Sequence, residues 1–127
     1  MYRAIIVDDQ PSYRAIIRAL LENAGGFEVV GEAADGDEAV DLYGATRADL
    51  VMMDVQMARV NGFQATALLI AYDPSTAVIL TSMSRDPEYT MLAAEAGAIG
   101  FFSKRTLDIE SVRRSLARHF DGRSAAA

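Results

Sequence analysis

Cysteine is absent from this 127-residue chain, and so are long apolar runs. Without thiols the chain has no disulfide, no thiolate metal site and no cysteine nucleophile. No apolar run approaches the roughly 18 to 20 residues that cross a bilayer. The short apolar run at residues 4–7 ends in two aspartates and lacks the length and cleavage site of a signal peptide. We therefore expect a cytoplasmic protein that makes no contact with a membrane.

Positive charge is scarce as well, with 12 lysine and arginine residues against 18 acidic residues and a formal net charge of −6. Nucleic-acid binding needs a basic face that displaces phosphate counterions, so we expect none by this segment. The apolar fraction of 51% and the charged fraction of 24% are typical of one globular domain. We place this domain at residues 1–122 and interpret residues 123–127 as a tail or an expression remnant.

Five short apolar runs recur along the chain, and a segment with helix signals follows each of them. The runs are residues 4–7, 27–30, 50–53, 78–80 and 99–102. The first, third and fourth are apolar throughout, as in strands of a parallel sheet that is covered on both faces. The second run alternates, which favours a sheet edge. Five β-then-α units predict a doubly wound α/β fold with a parallel sheet.

Residues that cap or break helices divide the intervening segments. Pro11 suits a first helical position, Gly25-Gly26 ends the first helix, and Asp35 caps the second. The remaining signals are Asn61 as the cap of a third helix that stops at Asp73-Pro74, Asp86-Pro87 and Gly97 at the ends of a fourth, and a fifth from about Thr106 to Phe120. Met52, Met53 and Met91 are interpreted as core residues.

Polar residues follow four of the five predicted strands directly. They are Asp8-Asp9, Asp54, Thr81-Ser82 and Lys104. Because parallel strands direct their carboxyl ends to one edge of the sheet, these side chains are expected to meet there. An aspartate after a strand is often only a turn former or a helix cap. The occurrence of all of them together favours a functional site.

This set of side chains suits phosphoryl transfer. Three neighbouring carboxylates repel one another unless a cation intervenes, and a site of oxygen ligands alone favours Mg²⁺. Lys104 provides a point charge for a carboxylate or a phosphoryl oxygen, and Ser82 provides a hydroxyl donor. In such sites positioning and charge neutralisation do most of the work, and a carboxylate nucleophile forms an acyl phosphate.

At these residues the chain resembles the response-regulator receiver domains, the CheY-like superfamily. The resemblance covers residues 3–120 and rests on the segments 7–9, 53–57 with Asn61-Gly62, 80–82, 96–98 and 102–104. It implies a flavodoxin-like (βα)5 fold with strand order 2-1-3-4-5. Residues 30–36 and the non-proline residue after Lys104 are most similar to receivers of the NarL/FixJ (LuxR-type) regulators, which usually carry a C-terminal helix-turn-helix domain.

The resemblance also implies a role for each site residue. Asp54 would accept a phosphoryl group from the phosphohistidine of a sensor histidine kinase. Asp9, Asp54 and the backbone carbonyl of Gln56 would bind Mg²⁺, and Asp8 would act mainly through a bound water. Lys104 would pair with one phosphoryl oxygen.

The hydroxyl that bonds another phosphoryl oxygen would come from Ser82, because the family places it fifteen residues before Gly97; Thr81 remains an alternative. Phe101 matches the aromatic switch position, although a core strand aromatic explains it equally well. Gln56 and Ser84 match positions that line the approach of the hydrolytic water and tune phosphoryl lifetime.

Three residues depart from the family pattern. Ala58 stands where a proline usually stiffens the acceptor loop, so a more mobile loop is expected. Arg105 replaces the proline that usually follows the lysine, and the peptide bond there is expected to be trans because cis costs about 2.5–4 kcal/mol at a non-proline residue. Met83 is larger than the usual residue after the hydroxyl and is expected to shield the phosphoryl group or to narrow access for small phosphodonors.

The predicted function is a phosphorylation-dependent switch and not an enzyme with a separate substrate. The output is expected to be transcription, through a C-terminal DNA-binding domain absent here. Dimers are expected through the face of the fourth helix, fifth strand and fifth helix, or through the first and fifth helices. The alternative is a phosphorylation-independent pseudo-receiver that acts as an interaction or dimerisation module. A phosphatase is disfavoured because Gln56 stands where its general acid would be.

Overall fold

A computed structural model shows five parallel strands that alternate with five helices. It describes the backbone of residues 1–126 and the side chains of residues 1–121. The elements are β1 (Tyr2–Val7), α1 (Pro11–Ala24), β2 (Phe27–Ala33), α2 (Gly36–Thr46), β3 (Leu50–Asp54), α3 (Gly62–Tyr72), β4 (Ala77–Ser82), α4 (Glu88–Ala96), β5 (Gly100–Ser103) and α5 (Ile109–Ala126).

The sheet has the order β2-β1-β3-β4-β5 with all neighbours parallel. The predicted α/β fold, flavodoxin-like topology and edge position of β2 are therefore confirmed. Register brings the ends of neighbouring strands level, since Val7 pairs with Met53, Asp54 with Thr81, and Ser82 with Ser103. Residues that follow β1, β3, β4 and β5 thus emerge at one edge of the sheet.

Two apolar clusters cover the two faces of the sheet. Buried residues of α2, α3 and α4 pack on one face and those of α1 and α5 on the other. The central strands β1, β3 and β4 are buried along nearly their whole length, which explains their uninterrupted apolar runs. Met52 and Met53 lie in these clusters as predicted, but Met91 is 56% exposed on α4, so its assignment to the core was wrong.

Side-chain caps fix several helix ends. Asp35 accepts a hydrogen bond from the Asp37 amide, and Asn61 forms a capping box with Gln64 at the start of α3. The fourth helix begins at Glu88, after the predicted Asp86-Pro87, but the Asp86 carboxylate accepts from the Glu88 amide and so still caps it.

The fifth helix differs from its predicted bounds at both ends. It begins at Ile109, three residues after Thr106, because the Asp108 carboxylate accepts from the Ser111 amide and acts as the cap. Its backbone continues past Phe120 to Ala126. The interpretation of residues 123–127 as a tail or remnant stays a prediction, and the side chains there and all of Ala127 lie outside the described residues.

None of the helices in the described part of the chain is long and apolar enough to cross a membrane.

Candidate functional site

The three strand-end aspartates form one cluster. Asp8 and Asp9 follow β1, and Asp54 is the last residue of β3. Asp8, Asp9 and Asp54 each offer a carboxylate oxygen, and these oxygens lie within 4.8 Å of one another, close enough to share a metal ion. Asp8 and Asp54 are buried, at 2% and 4% exposure, whereas Asp9 is exposed. The cluster thus has a buried base and one carboxylate open to solvent.

Lys104 brings a positive charge to the buried side of this cluster. Its Nζ lies 2.7 Å from Asp8 Oδ2 and 3.4 Å from Asp54 Oδ1, and its side chain is only 3% exposed. The Lys104 amide donates to the Ser82 carbonyl at 3.0 Å, which ties the residue to the end of β4. No peptide bond in residues 1–126 is cis, so the Lys104-Arg105 bond is trans as expected. A trans bond therefore suffices to place this lysine.

The negative charge around Asp54 is only partly neutralised within the cluster. Burial, followed by the negative charge of Asp8, raises the pKa of Asp54 from its ordinary 3.8 to about 6, although Lys104 acts in the opposite direction. One ammonium therefore offsets two buried carboxylates only in part. A divalent cation on these oxygens would remove the remaining repulsion, so the donor set fits a hard ion such as Mg²⁺.

Both candidate hydroxyls are buried at the end of β4. Ser82 is fully buried and Thr81 is 2% exposed. The Ser82 Oγ accepts a hydrogen bond from the Ser84 amide at 3.0 Å, and the Thr81 carbonyl accepts from the Val55 amide at 2.9 Å. The backbone of Thr81 therefore supports the segment after Asp54, whereas the side chain of Ser82 shapes the turn after β4.

The acceptor loop, defined here as residues 55–61, is held at several points although Ala58 replaces the usual proline. The Gly62 amide donates to the Val55 carbonyl, and the Asp35 carboxylate accepts from the Arg59 amide at 3.1 Å. The Arg59 guanidinium also lies 3.9 Å from Asp35. Side chains from the start of α2 thus restrain this loop in a way that sequence spacing does not reveal. The expected mobility of the loop stays a prediction.

The backbone of α3 approaches Asp54 so closely that only glycine fits at the first position of this helix. A Cβ added to Gly62 would lie 2.5 Å from the Asp54 carbonyl oxygen and 2.8 Å from the Val55 Cα. Both contacts are with backbone, which moves less easily than a side chain. The Asn61-Gly62 motif is therefore a packing requirement of the site as well as a helix start.

We expect Gly62→Ala to lower the free energy of unfolding by about 2–3 kcal/mol, because the new methyl group displaces the backbone around Asp54. Urea denaturation measures this change. Gly44→Ala is the matched control, since an added Cβ there meets nothing within 4 Å and the substitution favours the helix by about 0.5–1 kcal/mol. Equal stability of the two variants would contradict the close approach.

The remaining predicted residues lie in the acceptor loop, after β4 and in β5. Gln56 is exposed at the start of the acceptor loop, Met83 is 46% exposed, and Ser84 is half-buried with its Oγ accepting from the Asp86 amide. Phe101 is half-buried and packs edge-on against Tyr89 at 6.2 Å between ring centroids. Tyr89 in turn packs against Phe63 of α3. Their assigned roles in switching and phosphoryl lifetime stay predictions.

Sequence reasoning missed contacts made by the first turn of α1. The Tyr13 ring centroid lies 4.1 Å from Lys104 Nζ, and Arg14 donates to the Asp8 carbonyl. The available signal was the position of both residues within five of Asp9. His119 does not join the site and instead contacts the Ser75 carbonyl at 3.1 Å.

Fold and site together define a doubly wound α/β protein with an acidic strand-end cluster and a paired lysine. A profile of the family described as "Response regulator receiver domain" matches residues 4–116. The chain belongs to this family, which works in two-component signalling.

The chain covers very different shares of two curated relatives. It is 37% identical over 119 residues to a protein-glutamate methylesterase/protein-glutamine glutaminase of Alkalilimnicola ehrlichii, with 90% of this chain and 30% of that protein covered. It is 39% identical over 117 residues to Protein CcdB of Bacillus subtilis, with 90% and 97% covered. The chain thus spans less than a third of the first relative and nearly all of the second.

One similar solved structure comes from the LuxR family of regulators. A two-component response regulator of the LuxR family from Aurantimonas sp. SI85-9A1 superposes with a TM-score of 0.88 at 32% identity, with 92% of this chain and 86% of that chain covered. The predicted likeness to receivers of NarL/FixJ (LuxR-type) regulators is confirmed.

Proposed function

We propose that Asp54 accepts a phosphoryl group from a phosphohistidine of a sensor histidine kinase, and that the resulting acyl phosphate shifts this domain between two conformations. The observation that carries the proposal is the placement of Asp54 beside Asp8, Asp9 and Lys104 at the sheet edge. Burial and the neighbouring Asp8 also raise the pKa of Asp54, and perturbed pKa values cluster at functional sites.

In the proposed reaction a carboxylate oxygen of Asp54 attacks phosphorus. The P–N bond to the kinase imidazole breaks, an O–P bond to Asp54 forms, and the imidazole leaves with its electron pair and takes up a proton. Lys104, 3.4 Å from Asp54 Oδ1, moves onto a phosphoryl oxygen as charge builds up there. Ser82 is the proposed hydroxyl donor to a second oxygen, with Thr81 as the alternative. Phe101 is the proposed aromatic switch.

Asp9, Asp54 and the Gln56 carbonyl are the proposed ligands of Mg²⁺, with Asp8 acting through a water. The bound ion would neutralise charge on the transferring group. Asp9 is the exposed member of the cluster and so the most accessible to an incoming ion. Asp8 already contacts Lys104 at 2.7 Å, which fits an indirect role. Gln56, Met83 and Ser84 are the proposed determinants of phosphoryl lifetime.

The proposed setting is the cytoplasm, with transcription as the output through a C-terminal DNA-binding domain. The domain acts as a switch that assists its own phosphorylation and dephosphorylation. The likeness to a LuxR-family regulator supports this output. Homodimers are proposed through the α4/β5/α5 face or through α1 and α5. Reading the coding sequence downstream of this segment tests the output directly.

The test of the proposed function is phosphoryl uptake by the intact chain. Incubation with acetyl phosphate and Mg²⁺, or with an autophosphorylated histidine kinase, should add the mass of one phosphoryl group in mass spectrometry. Asp54→Asn and addition of EDTA should each abolish the adduct, whereas Asp41→Asn, on the exposed surface of α2, should not change it. An unmodified wild-type chain with every donor would leave the pseudo-receiver as the better interpretation.

A further inference from the structure

The Tyr13 side chain lies against the ammonium of Lys104. We propose that Tyr13 is a positioning residue for phosphoryl transfer, whose aromatic face holds the Lys104 ammonium against the two buried carboxylates and keeps water away from it. The inference rests on the proposed phosphorylation of Asp54. It gives α1 a role in phosphoryl transfer in addition to that of the strand-end residues.

Three groups surround the ammonium. Nζ lies 2.7 Å from Asp8, 3.4 Å from Asp54 and 4.1 Å from the centroid of the Tyr13 ring. A lysine ammonium is a compact, strongly hydrated charge on a flexible stem. Here its side chain is only 3% exposed, so the ring face replaces water that would otherwise solvate the charge.

The start of α1 couples the ring to the acidic cluster. The Gln10 amide donates to Asp8 Oδ1 at 2.9 Å, and the Tyr13 amide donates to the Gln10 carbonyl at 3.1 Å. Pro11 at the first helical position fixes φ between these two hydrogen bonds. This short turn therefore fixes the positions of both the Asp8 carboxylate and the Tyr13 ring that faces Lys104.

The chemistry of the phenol supports a neutral ring at this place. Burial, followed by the charges of Asp8 and Asp54, raises the pKa of Tyr13 to about 12. The hydroxyl therefore stays protonated under ordinary conditions, and the ring keeps the negative face that attracts a cation. Because the contact uses the ring face, phenylalanine should preserve it and an aliphatic residue should not.

The consequence for the reaction is restricted motion of the lysine. During transfer Lys104 moves only from carboxylate oxygens to a phosphoryl oxygen nearby. The Tyr13 ring limits the other positions that the Lys104 ammonium can take and keeps the ammonium poorly hydrated. Less movement of the lysine and of water is therefore needed as negative charge builds up on the phosphoryl group. Removing the ring should slow transfer more than it changes metal binding.

The experiment compares Tyr13→Phe with two variants that lack the ring, Tyr13→Leu and Tyr13→Met, in the full chain. Ile16→Ala is the control, since Ile16 is 58% exposed on the same helix. The first measurement is the rate of phosphorylation by phosphoramidate at saturating Mg²⁺. The second is the NMR shift of the Lys104 ε-methylene protons, which the ring current of Tyr13 displaces. Circular dichroism checks that each variant is folded.

We expect the phenylalanine variant and the control to match the wild type within about twofold. The two variants without the ring should lose the ring-current shift and react about tenfold more slowly, with Mg²⁺ affinity changed by less than about twofold. Rates equal to the wild type in both ringless variants would overturn the inference, as would an equal loss in Tyr13→Phe. A wild-type chain that takes up no phosphoryl group contradicts the proposed role of Asp54 instead.

Discussion

Replacing Lys104 with methionine is expected to slow phosphorylation of Asp54 by about a hundredfold or more and to destabilise the fold by about 3 kcal/mol at pH 7. The rate falls because a buried donor that stabilises developing charge is removed. The stability falls because Asp8 and Asp54 are left as buried like charges without their shared cation. Phosphoramidate kinetics and urea denaturation measure the two effects.

Two further variants separate charge from packing at this position. Asp8→Asn combined with Lys104→Met removes one carboxylate together with the cation, so most of the lost stability should return while phosphorylation stays slow. Arg105→Met removes the neighbouring exposed cation and should leave both quantities within error. If the single and double variants were equally unstable, repulsion between Asp8 and Asp54 would not be the cause.

The second large effect is on the stability of the metal-free protein. Asp54→Asn is expected to raise the free energy of unfolding of the metal-free protein by about 3 kcal/mol at pH 7. Burial and Asp8 raise the pKa of the Asp54 carboxyl from 3.8 to about 6, and each pKa unit corresponds to about 1.4 kcal/mol. The amide keeps the shape of the side chain but removes the charge that the folded state solvates poorly.

The pKa values of Asp54 in the unfolded and folded states set the pH range over which this effect appears. Between pH 3.8 and about 6 the folded state binds more protons at Asp54 than the unfolded state does. Wild-type stability therefore falls as pH rises through this window, and the advantage of Asp54→Asn grows from nearly zero to its full size. Urea denaturation at pH 4, 5, 6 and 7 in EDTA measures it, with Asp41→Asn as the exposed control. A pH-independent difference would contradict the assignment.

The rate of phosphorylation should rise with pH over the same range in which wild-type stability falls. As pH falls below about 6, a growing fraction of the Asp54 carboxyl of the metal-free protein is expected to be protonated and so to be a poor nucleophile. Mg²⁺ competes with that proton and should extend phosphoryl uptake to lower pH. In the proposed function, the buried charge that destabilises the fold is the same charge that lets Asp54 accept a phosphoryl group and a metal.

Much of the fold was predictable because its signals are local. The apolar runs of β1, β3 and β4 indicated strands buried on both faces, and caps such as Asp35 and Asn61 indicated helix starts. The errors occurred where local signals were ambiguous. A helix that begins near Thr106 looked as plausible as one that begins after Asp108, and Met91 resembled the buried methionines although its side of α4 faces solvent.

The site was predictable in its residues but not in its contacts. A rule of topology, that parallel strands end at one edge, was enough to bring Asp8, Asp54 and Lys104 together. It did not predict that Lys104 lies closer to Asp8 than to Asp54. It also gave no reason to connect Asp35 with the acceptor loop, since 24 residues separate it from Arg59.

The sequence by itself determined the order of strands and helices, the family and the set of acidic, hydroxyl and lysine side chains at one edge of the sheet. These features depend on apolar periodicity and on residues adjacent to strand ends. Only the tertiary structure decided how the ammonium is shared, that Tyr13 covers it and that Gly62 must lack a side chain. Those outcomes depend on strand register, helix approach and rotamers, which arise from packing between residues that are distant in the chain.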